Sequence, residues 1–144
     1  MELSTLPVVP ASRLYELTSA EMDAPWSLAH LSGRLTEILG RQGDLSLVAA
    51  LIREAQEKGE PAAWIFTHRD TFYPPDLADN SIDLAALPVV FAGSGEYAFR
   101  SAELLLRSGA FGLIIIDRKG EDNVSAAYQG RVVRLAQHYQ AAVL

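Results

Sequence analysis

Short apolar segments alternate with amphipathic segments of helical period from residue 34 to the end of the chain. Almost every residue in 62–66 and 112–116 is apolar, as in strands that are covered on both faces. The segments between such strands place apolar residues at i, i+3 and i+4, the period of an amphipathic helix. This alternation predicts an α/β fold of three layers, in which a mostly parallel sheet carries helices on both faces.

The predicted elements follow one another in the order β, α, β, β, α, β, α, β. They cover residues 35–39, 45–58, 62–66, 87–92, 96–107, 112–116, 124–139 and 141–144. Lys58-Gly59 and Ser108-Gly109 end the first two helices, because glycine readily follows the last helical residue. The last strand is short, so we expect a sheet that is incomplete at its C-terminal edge. We also expect a fragment or a minimal member of a larger family.

The chain divides into an N-terminal arm, residues 1–33, and a core, residues 34–144. Three prolines, Pro7, Pro10 and Pro25, interrupt the arm, and one short helix is predicted near residues 11–18. A length of 144 residues with 49% apolar residues suits one domain with a real core.

Composition excludes several classes of function. The chain has no cysteine, so it has no disulfide, thiolate metal site or cysteine nucleophile. A net charge of -6 and a pI near 5.0 argue against a dedicated nucleic-acid binder, although basic residues are frequent in the last third. The start is not a signal peptide, and the longest apolar run is too short for a bilayer. We therefore expect a cytoplasmic protein without a membrane partner.

The turn after the first strand has the frame of a phosphate site without its chemistry. A P-loop needs a lysine for the phosphates and a hydroxyl for magnesium. Here Gly40-Arg41-Gln42-Gly43-Asp44 leads into the helix, no lysine lies between Gly40 and Arg53, and the Asp44 carboxylate would repel phosphate. The backbone N–H groups at Gly40 and Gly43 could still bind an anion. An inherited turn is the interpretation that we favour.

Two stretches of the chain resemble the RecA-like recombinase core. The stretch Gly95-Glu96 through Arg107-Ser108-Gly109 to Asp117 is similar to the helix, turn and strand that lead to the Walker B aspartate. Residues 37–40, Glu54-Ala55-Gln56 and residues 62–63 are similar to the P-loop strand, its helix and the next strand. The resemblance covers roughly residue 34 to the end.

The departures from that family concern its ATPase parts. The family's lysine position falls near Asp44, its hydroxyl pair near Leu45 and Ser46, and its catalytic glutamate at His68. The first DNA-binding loop is shortened to residues 118–128, and the second would lie beyond Leu144. Of the ATPase parts only Asp117 remains.

Two RecA-related types with degenerate P-loops, ImuA and SulA, have lost these parts. The chain resembles the ImuA type, a RecA-like protein of the bacterial SOS response, more closely, because the RecA likeness is strong around residues 54–56 and 107–117. The resemblance implies a protein that is not an enzyme, binds no cofactor and acts by protein contact in a translesion-synthesis mutasome. The implied partners are an ImuB-like polymerase subunit and RecA, with self-association through residues 6–17 as a further possibility. The alternatives are a SulA-like inhibitor of the division GTPase FtsZ and a weak ATPase that uses Arg41 and Asp117.

Other candidate residues allow a functional and a structural interpretation. Asp117 could hold a magnesium-bound water, but aspartates at such strand ends also cap loops. His68, Arg69 and Asp70 follow a strand at the edge where α/β sheets bind ligands, without a nucleophile nearby. We expect this loop to contact a partner or solvent.

Two further pairs are candidates for partner contact. Phe72 and Tyr73 lie in a rigid loop that could be a hot spot, unless Phe72 folds back into the core. Arg131 and Arg134 share a helix face and could meet an acidic partner, unless they are simply solvated. His30 and His138 have no ligand spacing to carboxylates, and no metal site is predicted.

Overall fold

A computed structural model describes residues 26–39, 44–120 and 123–144. Five parallel strands form one sheet in the order β1-β5-β4-β2-β3. Their bounds are Arg34–Leu35 for β1, Ala62–Phe66 for β2, Val89–Phe91 for β3, Leu113–Asp117 for β4 and Ala142–Val143 for β5. The sequence prediction of an α/β fold with a parallel sheet is confirmed, and the arrangement is consistent with a RecA-like core.

Helices cover both faces of the sheet. They are α1 at Leu28–Leu31, α2 at Asp44–Glu57, α3 at Pro74–Ala78, a 3-10 turn at Leu84–Ala86, α4 at Gly95–Arg107 and α5 at Ala126–Tyr139. Each long helix lies within two residues of its predicted bounds. The helix predicted near residues 11–18 lies outside the described residues. No helix in the described part of the chain is long and apolar enough to cross a membrane.

Side chains that alternate along the central strands divide the core into two layers. Trp64, Leu113 and Ile115 pack on one face with α1, α2 and α3. Ile65 and Ile114 pack on the other face with α4 and α5. Successive strand residues point to opposite faces, so a strand that is buried on both sides must be apolar throughout. This accounts for the nearly continuous apolar sequence of β2 and β4.

The first strand is shorter than the sequence predicts. Residues 35–39 were expected to form it, but pairing is limited to Arg34 and Leu35, which lie opposite Ala142 and Val143. β1 is an edge strand whose single neighbour, β5, has two residues, so the ladder ends with that neighbour. The chain from Thr36 to Leu39 then continues without regular structure and borders a crevice.

The last strand does not lie at an edge of the sheet. β5 is inserted between β1 and β4, and the Leu144 N–H donates to the Ile114 carbonyl at 3.0 Å. Among the described residues the edge strands are β1 and β3. Parallel strands that are distant in sequence can be neighbours, and hydrophobic periodicity does not indicate which ones pair.

Candidate functional site at the carboxyl edge of the sheet

A crevice of about 610 Å³ opens at the carboxyl ends of β1, β4 and β5. Its walls come from the segment after β1, the end of β4 and the beginning of α2. Glu37 and Arg118 face each other across it, with 3.6 Å between Glu37 Oε1 and Arg118 Nη2. Open α/β sheets bind their ligands at this edge, so the crevice is the candidate site.

Leu39 and Leu45, which flank the P-loop remnant in the sequence, line this crevice. Gly40, Arg41 and Gly43 lie outside the described residues, and α2 begins directly after them at Asp44. Ser46 is exposed in the first turn of α2. The helix after the turn begins one residue before its predicted start, and the phosphate-binding interpretation of the turn rests on residue types alone.

Asp117 ends β4 and lines the crevice. Burial raises the pKa of its carboxyl, and the nearby Thr71 hydroxyl and Trp64 indole N–H partly oppose that shift. The indole N–H is buried and has no aligned hydrogen bond in the described part of the chain, so it acts on Asp117 as a nearby dipole.

Neither lysine of the chain lies at the crevice. Lys58 follows α2 and forms an ion pair with Glu54. Lys119 donates a hydrogen bond to Asp70 Oδ2 at 2.7 Å, and this bond lowers the pKa of Asp70. A phosphate in the crevice could therefore meet backbone N–H groups and arginines, but not the lysine that a P-loop supplies.

The residues that follow β2 are held by local contacts. Thr67 Oγ1 and His68 Nδ1 are 2.8 Å apart, and the Thr71 hydroxyl donates to the His68 carbonyl. The Arg69 guanidinium lies 4.5 Å from the centre of the Phe91 ring. Within the described residues, no three His, Asp or Glu side chains are grouped to hold a metal ion.

The adjacent Phe72 and Tyr73 have different surroundings. Phe72 packs on the core, with ring centroids 5.4 Å from Trp64 and 5.7 Å from Phe66. Tyr73 is 63% exposed and precedes α3. The structure therefore supports the core alternative for Phe72, and only Tyr73 remains available to a partner.

Arg131 and Arg134 lie on α5, away from the crevice. Arg131 is half-buried, lies 3.3 Å from Glu103 Oε2 on α4 and stacks over Tyr128 at 4.5 Å. Arg134 is exposed, and no ion pair joins it to another described residue. The shared helix face is as predicted, but the two arginines have different neighbours.

Sequence reasoning missed three residues that shape these surroundings. Trp64 and Thr71 influence Asp117 from β2 and from the loop that follows it, and Glu103 joins α4 to α5. The tryptophan in the middle of this buried strand was a visible signal, because a buried indole usually needs an acceptor. Thr71 and Glu103 gave no signal, since their contacts depend on tertiary packing.

Known proteins show a distant similarity over part of this chain. It is 39% identical over 87 residues to Protein RecA of Chlorobaculum tepidum, covering 59% of this chain and 25% of that protein. It is 33% identical over 104 residues to Protein RecA of Dichelobacter nodosus, covering 69% and 29%. It is 29% identical over 136 residues to Protein RecA of Teredinibacter turnerae, covering 91% and 37%. No protein-family model matches the chain.

The chain thus spans between a quarter and somewhat over a third of the length of these relatives. The partial similarity and the parallel sheet together support membership of the RecA-like superfamily.

Proposed function

We propose that this protein is a non-catalytic RecA-like accessory protein of the bacterial DNA-damage response. It acts by protein contact, in the manner of ImuA, within a translesion-synthesis mutasome. The RecA similarity supports the DNA-damage and recombination context. The narrower role rests on the degenerate P-loop.

One observation carries the proposal: the fold of a nucleotide-binding core is kept while its phosphate-binding residues are replaced. The crevice is present at the carboxyl edge, yet both lysines of the chain form ion pairs elsewhere. Asp117 is present, but burial disfavours its charged form. His68, at the place of the catalytic glutamate, is tied to Thr67. A scaffold of this kind retains packing surfaces without the means to neutralise a triphosphate.

Isothermal calorimetry with ATP and magnesium tests the first half of the proposal. We expect no saturable heat at micromolar protein. Magnesium-dependent binding would favour the weak ATPase, in which Arg41 and Asp117 act on a nucleotide in the crevice. In that case Asp117→Asn would abolish turnover, whereas Asp70→Asn, at an exposed carboxylate that pairs with Lys119, would not.

A pull-down with a purified ImuB-like polymerase subunit tests the second half. We expect capture that is independent of nucleotide. Capture of FtsZ instead, with dose-dependent suppression of its polymerisation, would replace the mutasome role by the SulA-like role. RecA is the third bait, because the proposal includes it as a partner.

A further inference from the structure

We infer that the outer surface of α4 and α5 is a docking site for an acidic segment of a partner protein that carries a leucine or aromatic anchor. The inference deepens the proposed function, since it names a surface for the protein contact. We call this surface the α4–α5 face. It consists of Tyr97, Arg100, Leu104 and Arg107 on α4 and of Arg131 and Arg134 on α5.

The four α4 residues form one stripe of the helix. Their spacing of three, four and three places them on one side, opposite the buried Ala98, Ala102 and Leu106. Tyr97 is 59% exposed and Leu104 is 71% exposed. Two large apolar side chains thus stand in solvent on the same stripe as two arginines. Tyrosine and arginine are enriched at protein contacts, and the exposed Leu104 between two arginines adds apolar area for a partner to cover.

α5 runs beside α4 in the same direction and extends the face. The Tyr128 hydroxyl donates to Glu96 Oε1 at 2.8 Å near the start of both helices. Arg131 meets Glu103 in the middle, and the Tyr139 hydroxyl reaches the Arg107 carbonyl at the end. These three cross-contacts hold the two helices as one rigid surface, which lowers the entropic cost of binding.

The α4–α5 face is positive in an acidic protein. The two helices contain four arginines and two glutamates, whereas the whole chain has a net charge of -6. Glu103 is shared by Arg107 and Arg131. Arg100 and Arg134 have no carboxylate partner among the described residues, although Arg100 lies 5.9 Å from the Tyr97 ring centre. Charge complementarity therefore indicates an acidic occupant.

A protein segment fits better than nucleic acid. The exposed Leu104 offers nothing to a phosphate backbone, and Glu96 and Glu103 would repel one. An amphipathic segment that combines Asp or Glu with a leucine meets both the arginines and the apolar positions.

Fluorescence anisotropy with three probes tests the inference. The probes are a short helical peptide with glutamates and leucines on one face, the same peptide with lysines in place of the glutamates, and a short DNA duplex. We expect the acidic peptide to bind and its lysine counterpart not to bind. Arg100→Glu and Arg134→Glu should each weaken binding about tenfold. Arg53→Glu on α2 changes the net charge equally and should leave binding intact.

A second pair of variants tests the apolar contribution of Leu104. Leu104→Ser should weaken binding of the acidic peptide, and Leu84→Ser, at a 37% exposed leucine of the 3-10 turn, should not. All five substitutions replace exposed side chains, so circular dichroism and thermal melting should show unchanged folding.

Three results would overturn the inference. The first is failure of the acidic peptide to bind better than its lysine counterpart. The second is stronger binding of the DNA duplex that is lost in Arg134→Glu, which would make the face a nucleic-acid surface. The third is self-association in sedimentation that is lost in the same variant, which would make it an interface between copies of this chain. The pull-down with the ImuB-like subunit tests the mutasome role separately, so either proposal can fail without the other.

Discussion

The Arg131 side chain on α5 donates a hydrogen bond from Nε to Glu103 Oε2 on α4, at 3.3 Å. Glu103 also accepts from Arg107 Nη2 at 2.9 Å, through its other oxygen. The hydrogen bond from Arg107 is the main reason that the pKa of Glu103 lies below its ordinary value; burial opposes the shift and Arg131 adds to it. One carboxylate thus closes a turn of α4 and fastens that helix to α5.

Glu103→Gln is expected to lower the free energy of unfolding by about 1 kcal/mol at neutral pH. A carboxyl with a depressed pKa stabilises the fold above its unfolded pKa, and this contribution is lost as the pH falls through the folded pKa. As the pH falls below 6, the variant should therefore lose less stability than the parent. Urea unfolding at several pH values measures both effects.

Glu57→Gln is the control for that prediction, because Glu57 is 70% exposed and its contact with Arg53 is 3.8 Å long. It should change stability by less than about 0.5 kcal/mol. Equal losses in the two variants would mean that Glu103 contributes no more than a surface ion pair.

Asp117→Asn is expected to leave stability unchanged or to raise it by up to about 1 kcal/mol at neutral pH. Burial raises the pKa of Asp117, so its contribution is fully present below the unfolded pKa and is lost as the pH rises through the folded pKa. The uncharged asparagine side chain does not ionise, so the variant keeps this stability at neutral pH. Thermal melting at pH 4 and pH 7 shows whether the melting temperature of the variant exceeds that of the parent only at pH 7.

Asp70→Asn is the matched variant for Asp117→Asn. The pKa of Asp70 is lowered by its hydrogen bond with Lys119, so the direction of its pH effect is opposite. The pair is exposed, and the change should be small. A large loss in Asp117→Asn would show instead that the charged carboxylate stabilises the end of β4 despite its burial.

Phe72→Ala is expected to cost about 2 to 3 kcal/mol, because its ring contacts those of Trp64 and Phe66. Tyr73→Ala, one residue further, should cost less than about 0.5 kcal/mol, since that side chain is 63% exposed. Chemical denaturation of the two variants compares them directly. Similar costs would contradict the placement of Phe72 against the core.

Gly109→Ala should destabilise the protein more than Gly59→Ala. Both glycines follow a long helix with positive φ, +69° for Gly109 and +71° for Gly59, where an alanine is strained by about 1 kcal/mol. A Cβ at Gly109 would also lie 3.2 Å from Cε1 of Tyr139, whereas one at Gly59 would have nothing within 4 Å. Melting temperatures of the two variants test this order. Equal losses would mean that the Tyr139 ring moves aside and that only the positive φ matters.

Much of the fold could be predicted because its signals are local. The helix from Gly95 to Arg107 has an amphipathic period, a serine that accepts a hydrogen bond at its start and a glycine after its end. β2 has the predicted bounds because Pro61 and the charged Lys58-Gly59-Glu60 separate it from α2. The candidate site was predictable as far as Asp117, since a polar residue after a buried strand must face an edge of the sheet.

The rest depends on which segments meet. Nothing in Thr36 to Leu39 shows that these residues leave the sheet, because that depends on the two-residue length of their partner β5. The sequence around Phe72 suits a surface loop as well as a core position. Its burial depends on contacts with Trp64 and Phe66 on β2, which the local sequence does not indicate.

Periodicity, helix-ending glycines and strand-long apolar runs were enough to predict the three long helices, the central strands and the α/β layering. These features depend on each residue and its near neighbours in the chain. Only the tertiary structure decided that β5 lies between β1 and β4, that Glu103 links α4 to α5, and that burial shifts Asp117. Strand order, ion pairs and desolvation join residues far apart in sequence, and local patterns carry no record of such pairings.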